Sequence, residues 1–227
     1  MLKNLISLKN PKSRSAEAFR TLRTNIQFSS LDKEIRSIVV TSSGPGEGKS
    51  TVMSNLAITM AESGKKVILV DCDLRKPSIH KKIGITNSIG LTNILVQGTK
   101  KQECIFNSTV NNLFILTSGP VPPNPAELLG TKKMLNFIEE LKSEFDLILI
   151  DAPPVLAVTD AQILSSIADG VIFVAAYGEA QKSALVDAKH MIDKVGGNIL
   201  GVVFNKVPES ENGYYGKYYK GYYENEK

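Results

Sequence analysis

Cysteine is scarce in this chain. Cys72 and Cys104 are the two in 227 residues, too few for a disulfide framework. Cys72 also closes an apolar run, so a reduced, cytoplasmic setting is expected. No apolar stretch approaches the roughly 18 residues of a membrane span, and any membrane association must come through a partner. The start, MLKNLISLKNPK, lacks the long apolar core and cleavage site of a signal peptide. Strong charge of either sign is missing too. A net charge of +4 gives no basis for expecting nucleic acid, though it tolerates a polyphosphate ligand or acidic lipid. What is present suits one soluble domain with a proper core: 42% apolar and 22% charged residues.

Strand and helix signals alternate through most of the chain. Residues 1–15 are polar and lysine-bearing and read as an extended arm. From Ala16 to Phe28 the pattern is helical, with Phe19, Leu22 and Ile26 on one face and Glu17, Arg20 and Arg23 as a charged ridge beside it. That ridge is either a solvated face or a contact with a neighbouring subunit. Strands are expected at 35–41, 67–70, 113–116, 147–150, 171–175 and 199–204, and helices at 49–63, 90–97, 160–168 and 182–195. In GPVPPNPAELL, Asn124 suits an N-cap, Pro125 the first helical position and Glu127 the third place of a capping box. That spacing predicts one helix running to about residue 144.

The strands are apolar throughout rather than alternating, which calls for a sheet covered on both faces. Such a sheet is mostly parallel and doubly wound, with right-handed helical crossovers. Ligands of these α/β folds bind beyond the carboxyl ends of the strands. Three features fall at such ends: the loop Ser43–Ser50, Asp71 with Asp73, and Asp151.

The loop reads SGPGEGKST, residues 43–51. Its glycines let successive N–H groups turn inward, and the helix that Lys49-Ser50-Thr51 opens adds partial positive charge. Ser43, Gly44, Pro45, Gly46, Glu47 and Gly48 would wrap a nucleotide's phosphates, with Lys49 reaching the β/γ-phosphates and Ser50 a Mg²⁺ ion. Ser43 stands where the usual P-loop pattern has its first glycine. Magnesium takes hard oxygen ligands and keeps several waters; Ser50 with one or two of Asp71, Asp73 and Asp151 would supply them. Asp160 and Asp169 read instead as turn formers or helix caps.

After Val207 the aliphatic residues run out. ESENGYYGKYYKGYYENEK holds six of the seven tyrosines, Tyr214, Tyr215, Tyr218, Tyr219, Tyr222 and Tyr223. It cannot bury a core and is expected to be disordered. The division is therefore a domain over residues 1–207 and a tail over 208–227. The tyrosines lie 7 to 16 residues beyond Val207, a reach of roughly 25–55 Å when extended. That suffices for a neighbouring subunit's site or the chain's own. Phosphoryl transfer depends on positioning and charge neutralisation. Water as acceptor makes an ATPase, and tyrosine makes a kinase. About one tyrosine in a thousand is phenolate at pH 7, a deficit of roughly 4 kcal/mol, which a positioned Asp base or a metal can offset. Spacing does not separate the roles of Asp71 and Asp73.

SGPGEGKST, VILVDCDLRKP, LILIDAPP, PPNPAELL and the tyrosine cluster together closely resemble the bacterial tyrosine kinases. The resemblance is to the cytoplasmic catalytic subunit found in Gram-positive capsule and exopolysaccharide operons. It implies an ATP- and Mg²⁺-dependent protein-tyrosine kinase that autophosphorylates its tail, between subunits, and so tunes polysaccharide synthesis and export. Lys49, Ser50 and Thr51 then stand in the Walker A motif, Asp71 and Asp73 in Walker A′, and Asp151 in Walker B. Catalysis falls to Lys49, Asp71, Asp73 and Asp151, and the metal to Ser50, Asp73 and Asp151. Asn205 matches an adenine-contacting Asn. Glu17, Arg20 and Arg23 match an E-x-x-R-x-x-R helix associated with ring-like homo-oligomers. The implied partners are a membrane-embedded activator of the polysaccharide co-polymerase type, which recruits the kinase to the inner face of the membrane, and a cognate tyrosine phosphatase. Two rivals stand. A partition- or division-type ATPase shares the loop, but its signature lysine falls where this chain has Gly44. A nucleotide-regulated scaffold would use the tail to bind without catalysis.

Overall fold

The computed structural model describes residues 2, 5–29 and 34–208. The six tail tyrosines lie outside that range. In chain order the helices and strands are α1 (Ile6–Lys9), α2 (Arg14–Ser29), β1 (Ser37–Ser42), α3 (Lys49–Glu62), β2 (Val67–Asp71), α4 (Ile79–Ile83), α5 (Lys101–Cys104), β3 (Ile105–Asn107), β4 (Leu113–Leu116), α6 (Pro125–Leu129), α7 (Lys132–Glu144), β5 (Leu147–Asp151), α8 (Asp160–Ile167), β6 (Gly170–Ala176), α9 (Lys182–Lys194) and β7 (Ile199–Asn205). A π-helical turn occupies Asn93–Gln97, where a short helix was expected.

The seven strands form one sheet in the order β3-β4-β2-β5-β1-β6-β7. Every pairing is parallel except the β3–β4 edge. Strands β1, β2, β5 and β6 are buried at every position, as their unbroken apolar runs require. One face packs on Phe137, Ile138 and Leu141 of α7, Leu164 of α8 and Ile192 of α9. The other packs on α3, whose residues from Val52 to Ala61 are all buried. A helix buried on all sides needs a second layer over it. That layer is α1 and α2, with Leu5 and Ile26 buried and Phe19 and Leu22 packed against the same cluster.

The expected extended arm is therefore corrected. Leu2 and Leu5 enter the core, α1 forms, and the Ser7 N–H donates to the Asn55 side chain on α3 at 3.0 Å. Two apolar anchors suffice here because α3 supplies the surface for them. The single helix expected after Asn124 is two. Asn124 makes no side-chain cap, α6 ends at Leu129, and Thr131 caps α7 by accepting from Met134 N at 3.2 Å. Asp169 and Asp160 are corrected as well. Asp169 anchors the start of β1, accepting from the N–H groups of Arg36 and Ser37, and pairs with Lys142. Asp160 is fully buried and receives two N–H bonds from Arg75, at 2.9 and 3.0 Å.

Candidate nucleotide and metal site

Parallel pairing of β2, β5 and β1 brings their carboxyl ends into line, with Asp71 opposite Asp151 and Asp151 opposite Val40. The loop after β1 therefore opens beside both carboxylates. Its shape depends on Glu47, a buried acid that the sequence places in the phosphate wrap without showing what its carboxylate holds. The Glu47 carboxylate accepts from the Ser43 hydroxyl at 2.7 Å, from Gly44 N at 2.5 Å and from Ala176 N at 3.2 Å. Glu47 thereby ties the loop to itself and to the end of β6. Asn205, at the end of β7, donates to the Glu47 carbonyl at 3.0 Å. Gly46 and Gly48 sit at φ 77° and 94°, and a Cβ on Gly48 would lie 2.0 Å from Asn205 Nδ2. Glycine is needed at 48 both for its backbone and for this close approach.

From Lys49 the chain enters α3. The Ser50 hydroxyl donates to Asp151 Oδ2 at 2.8 Å and lies 2.7 Å from the Ser78 hydroxyl. Asp71 Oδ2 accepts from Ser78 N and Ile79 N at 3.2 and 3.1 Å. This leaves Oδ1 of Asp71 and Oδ1 of Asp151 buried without a partner. Asp73 is more exposed, accepts from Lys76 N at 3.0 Å and feels the charge of Lys49. Ser78 was invisible to spacing arguments. It joins the site only because the turn after Asp73 folds back over α3.

The electrostatics follow from crowding. Burial, then repulsion from Asp151, pushes the Asp71 carboxyl up to about 8. Burial pushes Asp151 up to about 7, against the hydrogen bond from Ser50 and the charge of Lys49. Burial also raises Asp73 and moves the Cys72 thiol well up, so Cys72 is inert packing at the end of β2. A pocket of hard oxygens, two of them orphaned and short of positive charge, fits a divalent cation. Among the described residues no three His, Cys, Asp or Glu side chains are arranged to hold a metal by themselves.

The structure thus brings Ser43–Thr51, Asp71, Asp73, Asp151 and Asn205 together. It does not bring Glu17, Arg20 or Arg23 there. The Glu17–Arg20 pair lies on α2, with Arg20 also donating to Pro11 O, and Arg23 points inward to Thr59 O on α3 at 3.2 Å.

Fold and site define the class first: a P-loop nucleotide-binding α/β protein. The AAA domain family matches residues 35–198. The structure also resembles the septum site-determining protein MinD from Pyrococcus horikoshii, solved with Mg-ADP, at a TM-score of 0.65 and 28% identity over 82% of this chain and 76% of that one. Closer likenesses narrow the class. Tyrosine-protein kinase YwqD of Bacillus subtilis is 43% identical over 219 residues, 95% of this chain and 92% of the relative. The chimerical protein CapA2B2 superposes at a TM-score of 0.87 with 39% identity, covering 90% of each chain. The chain belongs to the bacterial tyrosine-protein kinases.

Proposed function

We propose that the protein transfers the γ-phosphate of ATP, with Mg²⁺, to Tyr214, Tyr215, Tyr218, Tyr219, Tyr222 and Tyr223 of its own tail, across subunits of a homo-oligomer. The observation that supports this most is the pair of orphaned carboxyl oxygens on Asp71 and Asp151 beside Ser50, at the mouth of the loop. When bound, the cation would neutralise charge on the phosphates and lower the cost of the transfer. Ser50, Asp73 and Asp151 would hold it. Ser43 to Thr51 would wrap the phosphates with backbone N–H groups, Lys49 would neutralise the charge developing on the transferred group, and Asn205 would border the base.

Asp71 is the proposed proton acceptor. Burial holds a proton on Asp71 in the ligand-free chain; with a cation bound beside it that proton would be released, leaving a carboxylate free to take the one from a tyrosine hydroxyl. Glu17, Arg20 and Arg23 are the proposed oligomer contact. The proposed setting is the inner face of the membrane, where a membrane-embedded activator recruits the protein and a tyrosine phosphatase reverses the reaction. In that setting the kinase regulates capsular or exopolysaccharide synthesis. No helix among the described residues is long and apolar enough to cross a membrane, which supports a role for a partner.

Incubation with labelled ATP, Mg²⁺ and an activator fragment, followed by phosphopeptide mapping, tests the assignment. Label is expected on residues 214–223 and absent in Lys49→Met. Label appearing as free phosphate alone gives the site to an ATPase.

A further inference from the structure

One cation reaches the P-loop that none of the motifs accounts for. Lys82, an exposed residue of α4, donates from Nζ to Thr51 Oγ1 at 2.8 Å. Thr51 lies two residues past Lys49 on the first turn of α3, so the Lys82 ammonium sits at the helix N-terminus from which Lys49 also springs. That end already carries partial positive charge, and a lysine there is disfavoured unless an anion shares the place. Three other reaching lysines end on carboxylates, Lys101 on Glu140 and Glu144, Lys142 on Glu139 and Asp169, and Lys206 on Glu179, while Lys133 ends on the Leu95 carbonyl at 3.3 Å, away from any helix N-terminus of the site. Lys82 ends on a neutral hydroxyl. Among the described residues it forms no ion pair, though its field reaches Asp151.

Its position is set by the fold rather than by a loose side chain alone. The N–H groups of Ser78 and Ile79 are held by Asp71, Ile79 and Ile83 are buried, and Gly84 closes α4 with its N–H on the His80 carbonyl at 2.7 Å. The short helix is thus pinned at both ends, with Lys82 on the side facing α3. A phosphate oxygen at this helix terminus would give the ammonium a charge-assisted bond, about twice as strong as one to a neutral hydroxyl.

We propose that Lys82 is a second phosphate-binding cation of the nucleotide site, closing over the phosphate chain from the α4 side while Lys49 holds it from the loop. The inference rests on the ATP-site assignment above. Calorimetric titration of the full chain with Mg·ATP tests it. Lys82→Gln is expected to weaken binding about tenfold, the loss of one hydrogen bond to a charged group. Lys82→Arg should restore most of it, and Lys81→Gln, which removes an exposed neighbouring charge, should leave affinity unchanged.

The same Lys82→Gln loss should persist in a Thr51→Val background, since the phosphate and not the hydroxyl is the partner. Equal affinity of Lys82→Gln and wild type overturns the proposal. So does an equal loss in Lys81→Gln, or disappearance of the effect when Thr51 is Val. Absence of Mg·ATP binding by the wild type removes the nucleotide assignment itself, and a binding wild type indifferent to Lys82 removes this inference alone.

Discussion

Asp71 and Asp151 face each other across neighbouring strands, and the protein holds this unfavourable pair without a compensating ion pair among the described residues. Asp71 keeps its proton up to about pH 8 in the folded chain, against about 4 when unfolded. Between those values the folded state binds more protons than the unfolded one, so stability falls as pH rises through that window. Asp71→Asn keeps an acceptor for Ser78 N and Ile79 N and brings a donor towards Asp151. Ligand-free wild type is therefore expected to lose stability from pH 5.5 to pH 8, and the variant much less. At pH 8 the variant should be the more stable by on the order of 1–2 kcal/mol. Urea unfolding midpoints at the two pH values measure this, and equal slopes for both proteins would refute it.

At the scale of elements, α2 combines a contact with α3 and the proposed subunit contact on one helix. The Glu17–Arg20 pair is about one-third exposed, so it contributes at most a few tenths of a kcal/mol to the fold and remains available to a neighbour. Arg23 instead packs inward on Thr59 O, with its Nε buried. Alanine at all three positions is expected to shift the protein towards monomer, read by light scattering. Arg23→Ala alone should cost about 1 kcal/mol, a fall in Tm of roughly 2–4 °C, while alanine at Glu17 and Arg20 should leave Tm nearly unchanged. An unchanged mass in the triple variant removes the interface.

Elements also show what a sequence makes legible. Val67–Val70 and Leu147–Ile150 announce buried parallel strands because nothing but a two-sided cover accommodates them, and the acids that follow them then have to meet. The carboxylate of Glu47, although its residue was expected in the loop, and the hydroxyl of Ser78 gave no such signal. Their roles arise from contacts with β6 and with the turn after Asp73, distant in sequence or dependent on a fold-back. The break between α6 and α7 escaped for a local reason. Asn124-Pro125 fits a helix start well, and Thr131, the residue that caps the second helix, looks unremarkable inside an otherwise helical run. The Arg75–Asp160 pair joins the turn after β2 to α8, and only the finished sheet brings those two elements together.

At the scale of the whole molecule, the central three strands carry the site while the two-layer cover of α3 by α1 and α2 links the loop helix to the proposed subunit contact. If transfer runs between chains, a tail-deleted but active protein should label the tail of a Lys49→Met protein when the two are mixed. Radiolabel on the Lys49→Met chain is the expected outcome. A blank there, with wild type labelling itself normally, would confine transfer to a single chain.

Asn205 has one more consequence. It ends β7 while its side chain holds the P-loop through Glu47, and Tyr214 follows nine residues later. If the tail is the acceptor and the subunits assemble, each tail is presented to a neighbouring subunit's site at a local concentration of order millimolar, set by tether length and not by how much protein the cell makes. Any external tyrosine must outcompete that tether. Selectivity for the tail would then be a property of where the last strand stops, independent of any recognition of the sequence around each tyrosine.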